Sequence, residues 1–153
     1  MSPELIFEPV INMLWLSLAV FAFGTTLRLK SIIIDKKSKE EDFKIPTFDN
    51  GGETIQNSQR NLTNLFEFPI FFYVVCIMIY VTGNVDAYFV LLATWFFWLR
   101  VAHTVTHIFY NKVIPGIAIP VRTLFWLPST ILLGWMAYRA CLLYTSPSPR
   151  DVE

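Results

Sequence analysis

The sequence predicts an all-α integral membrane protein in which four transmembrane helices pack as one bundle. Of its 153 residues, 54% are hydrophobic and only 16% are charged, whereas soluble domains carry about 25% charged residues. Four apolar stretches are each close to the length of about 20 helical residues that crosses a bilayer core. Because these stretches do not alternate with the period of two that barrel strands show, we expect helices.

The predicted spans lie at about residues 9–29, 60–83, 86–111 and 117–143. Together they make one transmembrane domain, residues 1–143. The first span follows an acidic segment with Glu4 and Glu8, which is unlike the basic start of a signal peptide. The tail, residues 144–153, changes abruptly to serine, proline and charge. Since prolines cannot continue a helix, we expect this tail to be disordered or non-native in origin.

Basic residues are concentrated on one side of the predicted membrane. If the spans alternate in direction, residues 28–60 and 112–122 share a side and hold nine of the twelve basic residues. By the positive-inside rule, the long first loop, about residues 31–58, is then cytoplasmic and both termini face the opposite side. The formal net charge is zero, which disfavours a protein that binds nucleic acid.

Two spans carry polar stripes whose spacing places the members of each stripe on one helix face. The stripe that leads into the second span consists of Arg60, Asn64 and Glu67. The stripe on the third span consists of Arg100, His103, Thr104 and His107, and Asn111 continues it. A charge at bilayer depth costs about 2.5–3.5 kcal/mol on insertion scales, so these stripes point to a function.

Four arginines are predicted to converge at the cytoplasmic end of the bundle. Arg28 closes the first span, Arg60 and Arg100 belong to the stripes, and Arg122 opens the fourth span. Glu67 is the only acidic residue placed to pair with them. Excess cation in a low dielectric is costly and guanidinium groups suit carboxylates, so we expect a small anionic ligand. Structural ion pairs, snorkelling side chains and lipid headgroups are the alternatives.

The ordered stripes resemble those of the MAPEG family, the membrane-associated proteins in eicosanoid and glutathione metabolism. The segment RNLTNLFEFP from Arg60 is similar to the family's second-helix signature, Arg-x3-Asn-x2-Glu followed by proline. The segment RVAHTV from Arg100 is similar to its third-helix motif, and the segments around Arg28 and Arg122 resemble the exit from its first helix and the opening of its fourth. Thr63 stands where a second arginine is common, and His107 stands where the family has a tyrosine.

This resemblance implies a homotrimer that binds glutathione between neighbouring subunits near the cytoplasmic face. Carried over by position, the residues that bind glutathione are Arg28, Arg60, Asn64, Glu67, Arg100 and His103, with His107 and Tyr110 added near the family tyrosine. The implied catalytic residues are Arg122, beside the thiol, and Thr123, which matches a serine there. The implied function is that of a glutathione-dependent transferase or peroxidase that attacks lipophilic electrophiles or hydroperoxides arriving from membrane lipid.

Other function classes stay open. A non-catalytic protein of the same fold would bind lipid or glutathione without turning it over. A small four-helix transporter would need a carboxylate deep within a span, whereas Glu8 and Glu67 lie at span ends. His103 and His107, at i and i+4, have the spacing of half a metal site. Because the sequence has no HExxH motif and no carboxylate between Ala87 and Asn111, we predict no metal.

Overall fold

The computed structural model describes residues 2–36 and 52–145, with side chains as far as Leu143. One turn of 3-10 helix, Pro3–Ile6, leads into helix α1, and the helices that follow are α1 Phe7–Ile33, α2 Glu53–Glu67, α3 Pro69–Val81, α4 Ala87–Phe109 and α5 Thr123–Thr145. Apart from an isolated antiparallel bridge between Val113 and Pro120, the regular elements of the described residues are all helical. The prediction of an all-α fold is confirmed.

Helices α2 and α3 are two parts of one membrane-length segment, broken at Phe68. Pro69 has no N–H group to continue the α-helical ladder and occupies the first turn of α3, where a missing donor costs little. The main-chain nitrogen of Phe68 still donates to the oxygen of Asn64 at 3.4 Å, so the two helices follow each other without a loop. Counted as one segment, they give the predicted bundle of four helices.

Three helical segments of the described chain are long and apolar enough to cross a membrane, namely Pro3–Ile33, Glu53–Val81 and Ala87–Phe109. Helix α5 is roughly 35 Å long at 1.5 Å per residue, and it contains Pro128 and Arg139. These three segments correspond to the first three predicted spans, and α5 packs against α3 and α4 as the fourth helix of the bundle.

Several helix ends differ from the predicted boundaries. Helix α1 runs to Ile33 and α2 begins at Glu53, so the predicted loop of residues 31–58 is shorter at both ends. Helix α2 begins early because Ile55 is buried against the bundle, and packing of one face is what stabilises most helices. Residues 117–122, predicted as the start of the fourth span, are not helical. Residues 37–51 of the predicted loop and residues 146–153 of the predicted tail lie outside the described residues.

The bundle has an aromatic core and an apolar outer surface. Phe72 of α3 stacks on Phe96 of α4 with ring centroids 4.3 Å apart, and both side chains are fully buried. Large apolar side chains such as Trp15, Phe71 and Trp95 are exposed on the outside. A helix that is apolar on all sides is characteristic of membrane spans, so this surface is suited to lipid.

Ring contacts set the relative heights of the helices. Phe23 of α1 packs edge-on against Phe109 at the end of α4, with centroids 5.7 Å apart. The last ten residues of α1 therefore extend about 15 Å beyond the end of α4, at 1.5 Å per residue. Helix α2 accompanies them at close range, because a Cβ atom on Gly24 would lie only 3.1 Å from Oγ of Ser58.

Candidate functional site

The C-terminal half of α4 presents a face of buried polar side chains. Arg100, His103 and His107 recur at spacings of three and four residues, so they line one side of the helix. Their exposed fractions are 0%, 3% and 2%. Arginine is almost never fully buried unless it is paired, so the partners of this face decide what it can do.

Arg100 reaches from α4 to the break between α2 and α3. Its Nη2 donates to the main-chain oxygen of Asn64 at 3.0 Å, and its guanidinium carbon lies 6.0 Å from the ring centroid of Phe68. Its Nε and Nη1 have no hydrogen-bond partner among the described residues. A buried cation thus keeps two donor groups available for an acceptor.

His103 contacts the residue that precedes α5. Its Nδ1 lies 3.0 Å from the main-chain oxygen of Arg122, and in the tautomer with a proton on Nδ1 the ring donates to that oxygen. The ring of His107 packs edge-on against His103, with centroids 5.5 Å apart. Nε2 of His103 and Nδ1 of His107 have no partner in the described part of the chain.

Helix α2 adds a buried amide to the same layer. Asn61 is fully buried, and its Nδ2 donates to Oγ1 of Thr104 at 3.3 Å, while its Oδ1 has no partner within residues 2–36 and 52–145. A buried polar group without a partner costs about 1–3 kcal/mol. The five unpaired atoms of Asn61, Arg100, His103 and His107 therefore form a layer that a polar ligand would stabilise.

Arg122 joins the ends of three segments. Its Nη1 donates to Oδ1 of Asn111, whose Nδ2 donates to Oδ1 of Asn57 on α2 at 3.2 Å. Thr123 begins α5, and its main-chain nitrogen donates to the oxygen of Pro120 at 2.9 Å. These bonds hold α2, the end of α4 and the start of α5 together at one end of the bundle.

A polar cavity of about 390 Å³ lies beside this chain of hydrogen bonds, between the start of α2 and the end of α4. Arg60 and Lys112 contribute its cations and Glu53 its carboxylate, and Tyr110 and Asn111 also line it. Its volume falls within the range of about 300–1,000 Å³ that is usual for small-molecule sites. A ligand in this cavity would meet both signs of charge.

In the part of the chain that the structure describes, positive charge dominates the end of the bundle where α4 ends and α5 begins. Among the described residues the one ion pair joins Nη2 of Arg139 to Oδ2 of Asp86 at 2.5 Å, and it lies at the other end. Arg100 and Arg122 are joined to the buried layer by the contacts described above, and Arg60 lines the cavity beside it. These three arginines have no carboxylate within ion-pair distance in the described segments, and those segments contain no cluster of three or more side chains able to hold a metal ion.

Comparison with known proteins identifies this arrangement. A sequence model of the MAPEG family matches residues 9–142, which is most of the chain. The chain belongs to the MAPEG family. The match confirms the assignment made from the polar stripes, and it places the protein in a family of membrane glutathione-related transferases and isomerases. Separate comparisons of this MAPEG protein with curated proteins and with solved structures found no match.

The structure of the MAPEG protein brings some predicted site residues together. Arg100, His103 and His107 form the buried layer, and Arg122 joins it through its main-chain oxygen. Arg60 and Tyr110 line the cavity, and both are exposed. Thr123 is half-buried at the first position of α5.

Two other predicted residues, Glu67 and Arg28, lie apart from that layer in the single chain, and Asn64 meets it only through its main chain. Glu67 is exposed at the end of α2. It forms no ion pair with Arg60, although their spacing on one helix face allows such a structural pair. Arg28 is half-buried on the part of α1 that extends past α4. Asn64 meets Arg100 through its main-chain oxygen and not through its amide.

Sequence reasoning did not single out the two buried asparagines of α2. Asn57 and Asn61 are 8% and 0% exposed, and each bonds to a residue of α4 or of the segment that follows it. With Asn64 they are spaced i, i+4 and i+7, which is the spacing of one helix face. That spacing was the signal from which they could have been found.

Proposed function

We propose that this MAPEG protein is a glutathione-dependent membrane transferase or peroxidase that acts on lipophilic electrophiles or hydroperoxides. The family match supports the glutathione-related class. In this proposal the site and the loop of residues 31–58 face the cytoplasm, both termini face the opposite side, and the working assembly is a homotrimer.

The observation that carries the proposal is that Arg60, Arg100 and Arg122 have no carboxylate within ion-pair distance among the described residues. Cations that leave water are destabilising unless an anion accompanies them. Glutathione brings two carboxylates and one ammonium group, and carboxylates form strong charge-assisted hydrogen bonds with arginine. The Nε and Nη1 donors of Arg100 have no partner among the described residues, so a carboxylate that displaces the atoms covering them would accept from both.

Each residue then has a role. Glutathione supplies a thiol, which is nucleophilic as the thiolate. Arg122 stabilises that thiolate, because a neighbouring cation lowers a thiol pKa from its usual value of about 8.5, and Thr123 donates a hydrogen bond to the sulfur. The carboxylate of Glu67 binds the ammonium group of glutathione. The residues that hold the carboxylates and the peptide groups are Arg28, Arg60, Asn64, Arg100, His103, His107 and Tyr110.

Exposure in the single chain supports a shared site. Arg60 and Glu67 belong to one stripe of α2 and are both exposed. A neighbouring copy that packs on this stripe would enclose them and exclude water, and electrostatic stabilisation is stronger in a site without water. A homotrimer with glutathione between its subunits therefore explains why these residues point outward.

An apolar groove between α3 and α5 supports entry of the lipophilic partner from the bilayer. It has a volume of about 350 Å³, and Phe68, Val75 and Leu133 are among its lining residues. Phe68 stands at its inner end and is also the ring beside the Arg100 guanidinium. A lipophilic molecule in the groove would approach the buried polar layer along Phe68.

Turnover of glutathione with an aryl halide or a lipid hydroperoxide tests the proposal. Arg122→Ala is expected to reduce turnover by about 10²–10³-fold, which is the usual loss for one key electrostatic donor. Arg139→Ala is the matched control, because that arginine is paired with Asp86 at the other end of the bundle, and its turnover should equal that of the wild type. Turnover of Arg122→Ala within about threefold of the wild type contradicts the assigned role.

A non-catalytic binding protein is the second candidate, and the complete burial of Arg100 favours it. A ligand that reaches this guanidinium must displace neighbouring atoms, which suits slow binding better than rapid turnover. Absorbance of the thiolate separates the two candidates. It rises when glutathione is added to an enzyme that activates the thiol, and it stays unchanged for a protein that only binds.

A further inference from the structure

The chain between α4 and α5 forms a small hairpin, residues 112–121, and apart from Lys112, which lines the polar cavity, its residues have no role in the proposed chemistry. Val113 and Pro120 form its antiparallel bridge. The nitrogen of Ile114 donates to the oxygen of Ile119 at 2.9 Å, and the nitrogen of Val121 donates to the oxygen of Lys112 at 3.0 Å. Gly116 provides the positive φ of +85° that its turn requires. The hairpin therefore has a defined shape.

The hairpin exposes apolar side chains. Every residue from 113 to 121 is uncharged and apolar (VIPGIAIPV). Val113, Ile117 and Ile119 have exposed fractions of 54%, 63% and 39%. Phe109, which ends α4 at the same end of the molecule, is 66% exposed. Contiguous apolar surface of this kind marks a site of contact with a partner or a membrane.

Its position in the fold identifies the membrane as that partner. The hairpin begins three residues after the membrane-length helix α4 ends at Phe109, so by continuity it lies at the membrane surface. Lys112 and Arg122 flank the apolar run. Apolar residues beside basic ones are typical of interfacial segments, whose apolar side lies at the boundary of headgroups and acyl chains while the cations attract anionic lipid.

We propose that the apolar tip of the hairpin inserts into the interfacial region of the bilayer that holds α4, and that Lys112 lies at the level of anionic headgroups. The base of the hairpin is next to Asn111 and Arg122, which are hydrogen-bonded to each other. Insertion therefore sets the height of Arg122 relative to the membrane surface. This interaction with lipid does not depend on whether the protein uses glutathione.

Depth-dependent fluorescence quenching tests insertion, with the full chain in nanodiscs that contain anionic lipid. The background is Cys141→Ser, since Cys141 is exposed and the other cysteine, Cys76, is buried. A nitrobenzoxadiazole label on Ile117→Cys is expected to emit at a shorter wavelength and to lose intensity when the lipids are brominated near the headgroup. Val113→Cys reports from a second position of the hairpin. Asp35→Cys is the matched control, because Asp35 is exposed just beyond the end of α1, on the side where α1 extends past the end of α4.

Quenching at both hairpin positions and not at Asp35 supports insertion. Long-wavelength emission without quenching at Ile117 and Val113 would place the hairpin in water and overturn the proposal. Short-wavelength emission that brominated lipid does not quench would place the hairpin against another copy of the chain, which also overturns it. A second variant, Ile117→Asp, is expected to abolish quenching at Val113, and undiminished quenching there would contradict a role for the tip.

Discussion

Arg100 of α4 donates a hydrogen bond of 3.0 Å to the main-chain oxygen of Asn64, four residues before the helix break at Phe68. The nitrogen of Phe68 approaches the same oxygen only to 3.4 Å, and Pro69 has no N–H group to offer. The arginine therefore supports the helix where its own ladder is weak. Its two remaining donor groups stay unused within the described residues, so one side chain serves both the fold and the proposed site.

Replacing Arg100 by methionine is expected to separate stability from ligand binding. The variant loses the hydrogen bond to Asn64, which contributes about 1.5–3 kcal/mol for a charged donor, but it also removes a buried charge whose desolvation costs several kcal/mol. The ligand-free variant should therefore unfold at the same temperature as the wild type or higher. Its affinity for glutathione should fall by about tenfold or more, because each tenfold is about 1.4 kcal/mol.

Thermal unfolding and calorimetry in the same detergent measure the two effects. Arg139→Met is the control for affinity, since Arg139 lies at the other end of the bundle. A variant at Arg100 that is destabilised and yet binds glutathione normally would mean that this arginine is purely structural.

Replacing His103 by phenylalanine is expected to misplace Arg122. The substitution keeps a planar ring and removes the contact of 3.0 Å between Nδ1 and the main-chain oxygen of Arg122. Small displacements of a catalytic group cost up to about 10²-fold in rate, so kcat should fall more than KM changes. His103→Asn keeps a donor and should restore part of the rate. Equal kcat in the wild type and both variants would exclude a positioning role for His103.

Gly24→Leu is expected to force α1 and α2 apart. A Cβ atom at Gly24 would already lie 3.1 Å from Oγ of Ser58 and 3.3 Å from Nε2 of Gln59, so a larger side chain is overpacked, at a cost of about 1–3 kcal/mol. Gly134→Leu is the matched control, because nothing lies within 4 Å of a Cβ atom there. Thermal unfolding compares the two, and an equal loss of stability would show that close helix approach is not the cause.

The ion pair between Asp86 and Arg139 is expected to make the stability of the folded protein depend on pH in the acid range. The hydrogen bond from Arg139 holds the pKa of Asp86 below its ordinary value. Since the pKa is lowered in the folded state, the stabilisation is complete above the ordinary aspartate pKa of about 3.9. It is lost as the pH falls through the lower value of the folded state.

Asp86→Asn isolates this effect. Asparagine keeps a side-chain acceptor for the main-chain nitrogen of Phe89, which Asp86 now accepts at 2.8 Å, and the charge is removed. Because the pair is partly exposed, the cost at neutral pH should be below about 1 kcal/mol. Unfolding temperatures across the acid range should show a smaller loss in the variant. Parallel curves for the wild type and Asp86→Asn would assign the loss to other groups.

The class of this fold and its family were readable from the residues alone. In lipid every backbone group must be satisfied within the chain, so long uncharged stretches without a period of two specify helices. Side chains spaced by three and four residues share a helix face whatever packs against it. For these two reasons the stripes that begin at Arg60 and Arg100 were visible before any helix was placed against another.

Tertiary structure alone decided which stripe residues are buried and what they touch. Arg100 lies against the carbonyl oxygen of Asn64 while Glu67 stays exposed, and Asn61 is buried beside Thr104. Tertiary structure also decided that the residues after Lys112 form a hairpin, whereas the sequence predicted that the fourth span begins among them. Periodicity determines the face of one helix, whereas burial depends on the rotation and height of its neighbours, which long-range packing sets.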